Sequence, residues 1–553
     1  MNQPAGATFF GQPRGLATLF FTEMWERMSY YGMRALLLLY MTAQLSEGGM
    51  GLSEKTGGAL YGLYTMTVYL MSLMGGYIAD NYLGQRKSVW YGGIMIAAGH
   101  FSMAIPSTTT FFIGLVLIVI GTGFLKPNVS TIVGELYPEG GARRDAGFSI
   151  FYTGINLGAF LGPIVCGFLG EKVNWHWGFG AAGVGMLLGL IQFKMTEKYL
   201  GEAGIEPKAK MDKVQHASSK GLAAIFGAIL VASAIAMQVT GFANFTEISG
   251  LAEGIGYVIV ELVVLYFAYL VISPSFEWRE KKRIMLIFIL LIGCALFWSG
   301  FEQAGTSLNL FAKYLTDRHV MGWESPASWL QSVNPIFIIV LSPVFGYIWI
   351  KLAQKSLTPS SPLKFAFGLI FLALGFWVMA KAGQYAIESK VAPTWLIITY
   401  FLHTVGELCL SPVGLSTITK LAPPRIVGQM MGSWFTATAI GNLIAGLASG
   451  NFNFSAFTNA EKAHDALGSA AAVTPNLLEK IDPIKDKLDP SLLASQDLEG
   501  LRSATQRLMD TAMKDILPQI PANFFQTFLI TIVVGAIFLV TARWAAKLAP
   551  DVE

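Results

Sequence analysis

The sequence predicts an all-α membrane protein of fourteen spans, and three observations carry that prediction. Of 553 residues, 53% are hydrophobic and only 13% are charged, about half the charge of an ordinary soluble chain. The mean hydropathy is +0.53. Apolar runs long enough to cross a bilayer as helices recur along the whole length. Each run exceeds what a strand needs and lacks strict alternation, which excludes a barrel. The 38 basic and 35 acidic residues could not cover the surfaces of the three or four soluble domains that a length of about 150 residues per domain would suggest.

Several function classes fall away at the same stage. A net charge of +3 is too near neutral for nucleic-acid binding. The cysteines Cys166, Cys294 and Cys409 all lie in apolar runs and give neither a disulfide framework nor metal-ligand spacing. The six histidines are scattered without an HxxxH pair, so no cofactor is expected. Residues 1–16 are polar and Gly-rich and no small-residue cleavage site follows the first apolar run, so that run is read as a retained span and not a signal peptide.

Hydropathy windows of 19 residues place the spans at 15–45, 56–79, 89–105, 109–133, 147–170, 177–195 and 220–243. They continue at 253–273, 284–312, 329–351, 364–382, 394–419, 427–450 and 522–545. An even number puts both termini on one side. One set of loops holds nineteen Lys and Arg, including Arg86, Lys87, Arg143, Arg144, Lys208, Lys210, Lys213 and Lys220, whereas the other holds five or six. The positive-inside rule therefore assigns the first set and both termini to the cytoplasm.

Organisation follows from this count. Residues 1–195 form a six-helix bundle and 196–219 a charged cytoplasmic linker. Residues 220–283 supply two additional helices with their loop, and 284–553 a second six-helix bundle. Gly76-Tyr77-Ile78 recurs as Gly346-Tyr347-Ile348, each time before a basic loop. A parallel repeat of this kind places substrate between the halves near the bilayer midplane. The external insertion 451–521 has amphipathic stretches, with Leu498, Leu501, Leu508 and Met509 on one helical face. It fits a solvated cap or a binding module, and the sequence leaves both open.

Charges inside spans are the functional candidates. Each costs about 2.5–3.5 kcal/mol at a helix centre in lipid, so it faces the bundle interior. The first span carries Glu23, Glu26, Arg27 and Arg34, and with Tyr30 and Tyr31 most of these form one stripe at spacings of 3, 4 and 7. A buried ion pair that only fixes packing is the alternative, but two pairs exceed what packing needs, which favours a transport pathway. Lys126 lies in GTGFLKPNVS, where Pro127 breaks the backbone ladder and is expected to leave carbonyls free to line a cavity. Glu302 lies in WSGFEQAG and Glu407 in HTVGELCLSP, which also contains Ser411. Tyr69, Asn156, Trp298, Asn334 and Trp434 sit deep in spans beside them. Cations at one end, a carboxylate at the other and aromatic walls between suit a zwitterion with variable side chains.

Glu23-Met24-Trp25-Glu26-Arg27 is an ExxER pattern, and 151–158 (FYTGINLG) matches FYxxINxG. The segment 76–86 (GYIADNYLGQR) and 175–179 (WHWGF) also fit. Together these resemble the proton-dependent oligopeptide transporter family of the major facilitator superfamily, in its bacterial fourteen-helix form. The resemblance implies a major facilitator fold and uptake of di- and tripeptides with protons across the cell (inner) membrane, by a monomer that is no enzyme. Arg34 and Lys126, helped by Asn156, would take the peptide carboxylate, and Glu407 with Asn334 the amino end. Tyr30, Tyr69, Trp298 and Trp434 would line side-chain pockets, and Tyr31 and Ser411 would also belong to the peptide-binding set. Glu23, Glu26, Arg27, Lys126 and Glu302 would couple protons. Arg34–Glu302 and Lys126–Glu407 would close the external and cytoplasmic gates in turn, and Asp80 and Arg86 would serve a conformational latch.

Two departures matter. Mammalian members carry a histidine in the second span, and counting back from Asp80 puts Gly62 there, so coupling is left to carboxylates. The 451–521 insertion has no counterpart in the short bacterial pattern. Among rivals, a nitrate carrier would tend to lack ExxER, and a drug/proton antiporter remains within the transport class. A membrane enzyme would need a nucleophile–base or metal constellation, and none is visible. A pumping subunit would not need the aromatic stripe, and a peptide receptor would bind without flux.

Overall fold

The computed structural model describes residues 8–207, 228–468, 477–478, 481–495 and 497–549. Lys208, Lys210, Lys213 and Lys220 of the linker, and the start of the predicted span 220–243, lie outside the described residues. The first bundle comprises α1 (Gly15–Thr42), α2 (Glu54–Ile78), α3 (Gln85–Met103), α4 (Thr108–Glu135), α5 (Gly141–Lys172) and α6 (Trp175–Thr196). Then come α7 (Ala228–Thr240) and α8 (Ile248–Ile272). The second bundle holds α9 (Trp278–Phe301), α10 (Ser307–Leu315), α11 (Val333–Gln354), α12 (Ser361–Ala386), α13 (Thr394–Leu421) and α14 (Val427–Ala448). After α15 (Ser455–Gly468), α16 (Pro490–Ser495) and α17 (Leu498–Ile516), the chain ends in α18 (Gln519–Ala546). One small ribbon, β1 (His319–Val320) with β2 (Trp323–Glu324), pairs antiparallel between α10 and α11.

Among the described residues the predicted spans coincide with helices, the seventh over 228–240, except that 284–312 covers two. Nine helical stretches among the described residues are long and apolar enough to cross a bilayer. The long helices α1, α2, α3 and α14 fall short of that test. For α1 the reason is its charges, and it is buried on nearly every side, as a polar helix must be inside lipid. Local start signals agree with the sequence. Ser53 caps α2 by accepting from Thr56 N at 3.2 Å, and Asn174 caps α6 from His176 N at 2.9 Å. A Glu277/Glu280 capping box opens α9.

Two expectations need correction. The run 284–312 is not one helix: α9 stops at Phe301, Glu302–Gly305 makes a tighter turn, and α10 begins at Ser307. Hydropathy does not register the break because the segment stays apolar on both sides. Pro127 lies within a continuous α4, and the carbonyl its missing N–H frees, that of Gly123, does not line a cavity. It lies so close to Gly75 of α2 that a Cβ there would collide with it, which uses the unbonded carbonyl at a helix–helix contact.

Packing explains where the site can form. α1 packs on α5 and α6, α3 on α4 and α6, and α2 on α4, while α12 packs on α13 and α18 and α9 on α14. The bundles meet along α2–α14 and α5–α11. Small residues make the first seam possible: a Cβ on Gly62 would meet Leu443 O at 2.9 Å and Gly446 Cα at 3.3 Å. That is the physical reason the second span carries glycine, and no histidine, at this point. α8 rests against α2, α9 and α14, and Tyr266 on it donates to Gln429 at 2.6 Å.

Candidate functional site

The site is built from α1 upward. Glu23 and Glu26 both hold Arg27, whose Nε stands 2.8 Å from Glu23 Oε1 and 2.7 Å from Glu26 Oε2, with all three side chains buried. The i,i+4 spacing of Glu23 and Arg27 stacks them on one helix face. Two turns on, Arg34 Nη1 donates to Glu302 Oε2 at 2.6 Å, across the boundary between the bundles. The break at Glu302 turns that carboxylate off the end of α9 toward α1. Arg34 also lies 4.8 Å from the Tyr31 ring centroid, and Tyr30 and Tyr31 meet edge to face. Its Nε has no hydrogen-bond partner among the described residues, so the guanidinium keeps donor capacity for an anion.

Lys126 Nζ sits 4.0 Å over the Tyr69 ring centroid. Among the described residues it makes no ion pair, although Glu23, Glu26, Arg27 and Glu302 all act on its charge. The charge of Glu407 acts on Tyr31, as do those of Arg34, Arg27 and Glu302. Asn334 donates to Glu407 Oε2 at 3.3 Å and to Thr404 Oγ1 at 2.8 Å. Arg34, Lys126 and Glu407 therefore share one polar neighbourhood, linked through Tyr31, Tyr69 and Glu302. Of the two gate pairs the sequence suggests, Arg34–Glu302 is made and Lys126–Glu407 is not.

The remaining candidates are placed as follows. Asn156 is buried on α5 and donates to Tyr152 O at 2.9 Å. Trp434 is buried and meets Phe365 edge to face, and Trp298 meets Phe301 in the same way. Ser411 is half-buried on α13, one turn after Glu407. Asp80 and Arg86 are not paired with each other: Asp80 Oδ1 accepts from Gln85 at 2.8 Å, while Arg86 donates to Ala203 O at 2.6 Å and to Gly201 O. Arg86 thereby ties the start of α3 to the segment after α6.

Sequence reasoning missed several participants. Tyr61 and Tyr64 of α2 are buried beside Arg34, which acts on both. Their hydroxyls have no partner among the described residues. A Cβ at Gly305 would collide with the Tyr61 hydroxyl, so this tyrosine wedges against the turn that carries Glu302. The signal was present, since 61–69 (YGLYTMTVY) holds three tyrosines in a single helix. Tyr152 is 39% exposed and has Glu407, Asn156 and Tyr31 as neighbours that act on its hydroxyl. It lines a cavity of about 560 Å³ with Ser342, Trp349, Lys364, Leu408 and Lys420. That cavity lies toward the end of the molecule bearing the basic loops. The opposite end is bridged: Glu171 of α5 accepts from Ala327 N at 2.8 Å and Ser328 N at 3.0 Å, Trp329 donates to Ile164 O at 3.0 Å, and Ser332 to Phe160 O at 2.9 Å.

Residues 86–464 match the model of the POT family. The chain is 46% identical over 462 residues to the peptide transporter YePEPT of Yersinia enterocolitica subsp. palearctica, an alignment covering 81% of this chain and 90% of that protein. It is 36% identical over 453 residues to a di-/tripeptide transporter of Lactococcus lactis subsp. cremoris, covering 79% and 89%. In structure it is similar to a peptide transporter POT crystallised with sulfate, at a TM-score of 0.77 and 37% identity over 98% and 97% of the two chains. The charged stripe of α1, the two-bundle helical fold and these likenesses agree: the chain belongs to the POT family, with the major facilitator fold.

Proposed function

We propose that this chain is a proton-coupled symporter that imports di- and tripeptides by alternating access. One observation carries the reading, the Arg34–Glu302 pair buried between the bundles at 2.6 Å, with Lys126 and Glu407 both within electrostatic reach of Glu302. A peptide needs an anion site and a cation site a few ångströms apart, and this arrangement offers both. Arg34 and Lys126, with Asn156, take the carboxylate, and Glu407 and Asn334 take the ammonium. Tyr30, Tyr31, Tyr69, Trp298, Ser411 and Trp434 wall the side-chain space. The relatives named as peptide and di-/tripeptide transporters support that substrate class.

Protonation of a carboxylate beside Arg27, Lys126 or Arg34 frees its basic partner for the substrate carboxylate. The pair Arg34–Glu302 closes the external end in one state, and Lys126–Glu407 closes the other end in the opposite state. Arg86, held by the carbonyls beyond α6, and Asp80 serve the latch that moves with the bundles. The protein sits in the cell membrane as fourteen spans, acts as a monomer and keeps both termini cytoplasmic. A proton entering across 100 mV contributes about 2.3 kcal/mol, enough for roughly fortyfold accumulation.

Reconstitution into liposomes tests this. Labelled dialanine should accumulate above equilibrium only with an inward proton gradient and should exchange without one. Equal uptake with and without the gradient would make the protein a facilitator, and binding without flux a receptor.

A further inference from the structure

Asn334 is held by a residue that itself faces neither substrate nor solvent. Thr404 is fully buried on α13 and its hydroxyl donates to Tyr400 O at 2.6 Å. Toward Asn334 it therefore presents only lone pairs, and Nδ2 of Asn334 donates to it at 2.8 Å. The second Nδ2 proton reaches Glu407 Oε2 at 3.3 Å, and an ionised carboxylate is likewise acceptor only. Both neighbours demand the NH2 group and neither tolerates the carbonyl oxygen. Both of these hydrogen bonds run from Nδ2, and Oδ1 belongs to a side chain partly open to solvent.

We infer that Thr404 is a positioning residue for peptide uptake: by accepting Nδ2 it fixes the Asn334 amide with Oδ1 turned to the peptide's ammonium. The amine site then has two acceptors, the Glu407 carboxylate and Asn334 Oδ1. This rests on the assignment of the amine site to Glu407 and Asn334. Glu407 alone could not hold the amide through a transport cycle. Once protonated, a carboxylic acid can donate, and the amide would be free to turn over. The Thr404 hydroxyl proton is committed to the Tyr400 carbonyl, so its demand on Asn334 is the same in every protonation state.

The test uses the full-length protein in liposomes and competition against labelled dialanine. Two competitors are compared, dialanine and N-propanoyl-alanine, which differs in lacking the amine. Thr404→Val keeps the shape and removes the acceptor. It should weaken dialanine about tenfold and leave N-propanoyl-alanine within about twofold, and Thr404→Ser should restore the wild-type ratio. Because both constants come from one preparation, loss of folded protein cancels from the ratio. A wild-type ratio in Thr404→Val, or a Thr404→Ser ratio as low as that of Val, overturns the assignment. Glu407→Gln, run in parallel, separates the two levels. If it changes the ratio while Thr404→Val does not, only the role of Thr404 falls, and if it also leaves the ratio unchanged the amine site itself is elsewhere.

Discussion

The Arg34 guanidinium and the Glu302 carboxylate meet at 2.6 Å with both side chains buried, one from each bundle. A buried pair of this kind gives little net stability against its desolvation cost, but losing one partner leaves an uncompensated charge. It is therefore suited to a switch, made in one state and exchanged for another partner in the next. Lys126 and Glu407, the pair proposed for the opposite state, are not paired with each other here. The proposed alternation between the two pairs would need no new residue, only relative movement of the bundles along α2–α14 and α5–α11.

Removing Glu302 should open the external end. Ser332 is buried, its hydroxyl on Phe160 O at 2.9 Å, so a cysteine placed there by Ser332→Cys should react slowly with a membrane-impermeant thiol reagent. Adding Glu302→Ala strands the Arg34 charge at a cost of about 3–5 kcal/mol and should raise the labelling rate at least about fivefold. Labelling that stays at the single-mutant rate would mean that this pair does not hold the closure.

Arg27 is shared by Glu23 and Glu26, at 2.8 and 2.7 Å, so neither carboxylate alone defines its partner. Glu23→Gln and Glu26→Gln should each abolish accumulation of dialanine driven by external acidification while leaving counterflow exchange within about threefold. In the wild type, accumulation should rise as external pH falls, because protonation is what frees the basic partner. Acid-driven uptake that persists in both variants would remove these residues from the coupling scheme.

Much of this was legible in the sequence, for a physical reason. Charges in lipid are so costly that Glu23, Arg27, Arg34, Lys126, Glu302 and Glu407 marked the interior without any tertiary knowledge. The span positions followed from hydropathy in the same way. What stayed hidden depends on backbone direction or on contacts between helices. The chain turns at Glu302 inside an apolar run, and the Gly123 carbonyl freed by Pro127 goes to Gly75 and not to a cavity. Thr404 looks like any threonine in a helix until Asn334 of α11 is brought to it. Tyr61 gains its meaning only from Gly305, far away in the chain.

Gly62 should not accept a histidine. An added Cβ already meets the Leu443 carbonyl at 2.9 Å, so an imidazole would force α2 and α14 apart. Overpacking at a close seam costs about 1–3 kcal/mol or more. Gly62→His should lower the midpoint of thermal unfolding by several degrees and reduce uptake, whereas Gly62→Ala should do so less. A histidine variant that melts with the wild type and gains a new pH dependence of uptake would show that the seam yields.

The insertion 451–521 should be dispensable for transport. Its residues Ala463, Leu467, Ile481, Ile484, Leu488 and Leu501 form a core of their own, and Arg502 binds the Leu467 carbonyl that ends α15. The chain leaves and re-enters the bundle at one place, since Asn523 Nδ2 donates to Asn451 O at 2.8 Å. Phe454 belongs with the main body, stacked on Tyr314 at 4.4 Å with its N–H on Glu54, so a cut should fall after it. Replacing 455–518 with a short Gly/Ser linker of about six residues spans the gap without strain. Such a protein should fold and take up dialanine within about twofold of wild type. The contacts it loses to the first bundle, such as Gln44 on the Thr458 carbonyl, bridge the end away from the basic loops, and their loss would ease its opening. A truncated protein that folds but loses uptake would instead make the insertion part of the transport machinery.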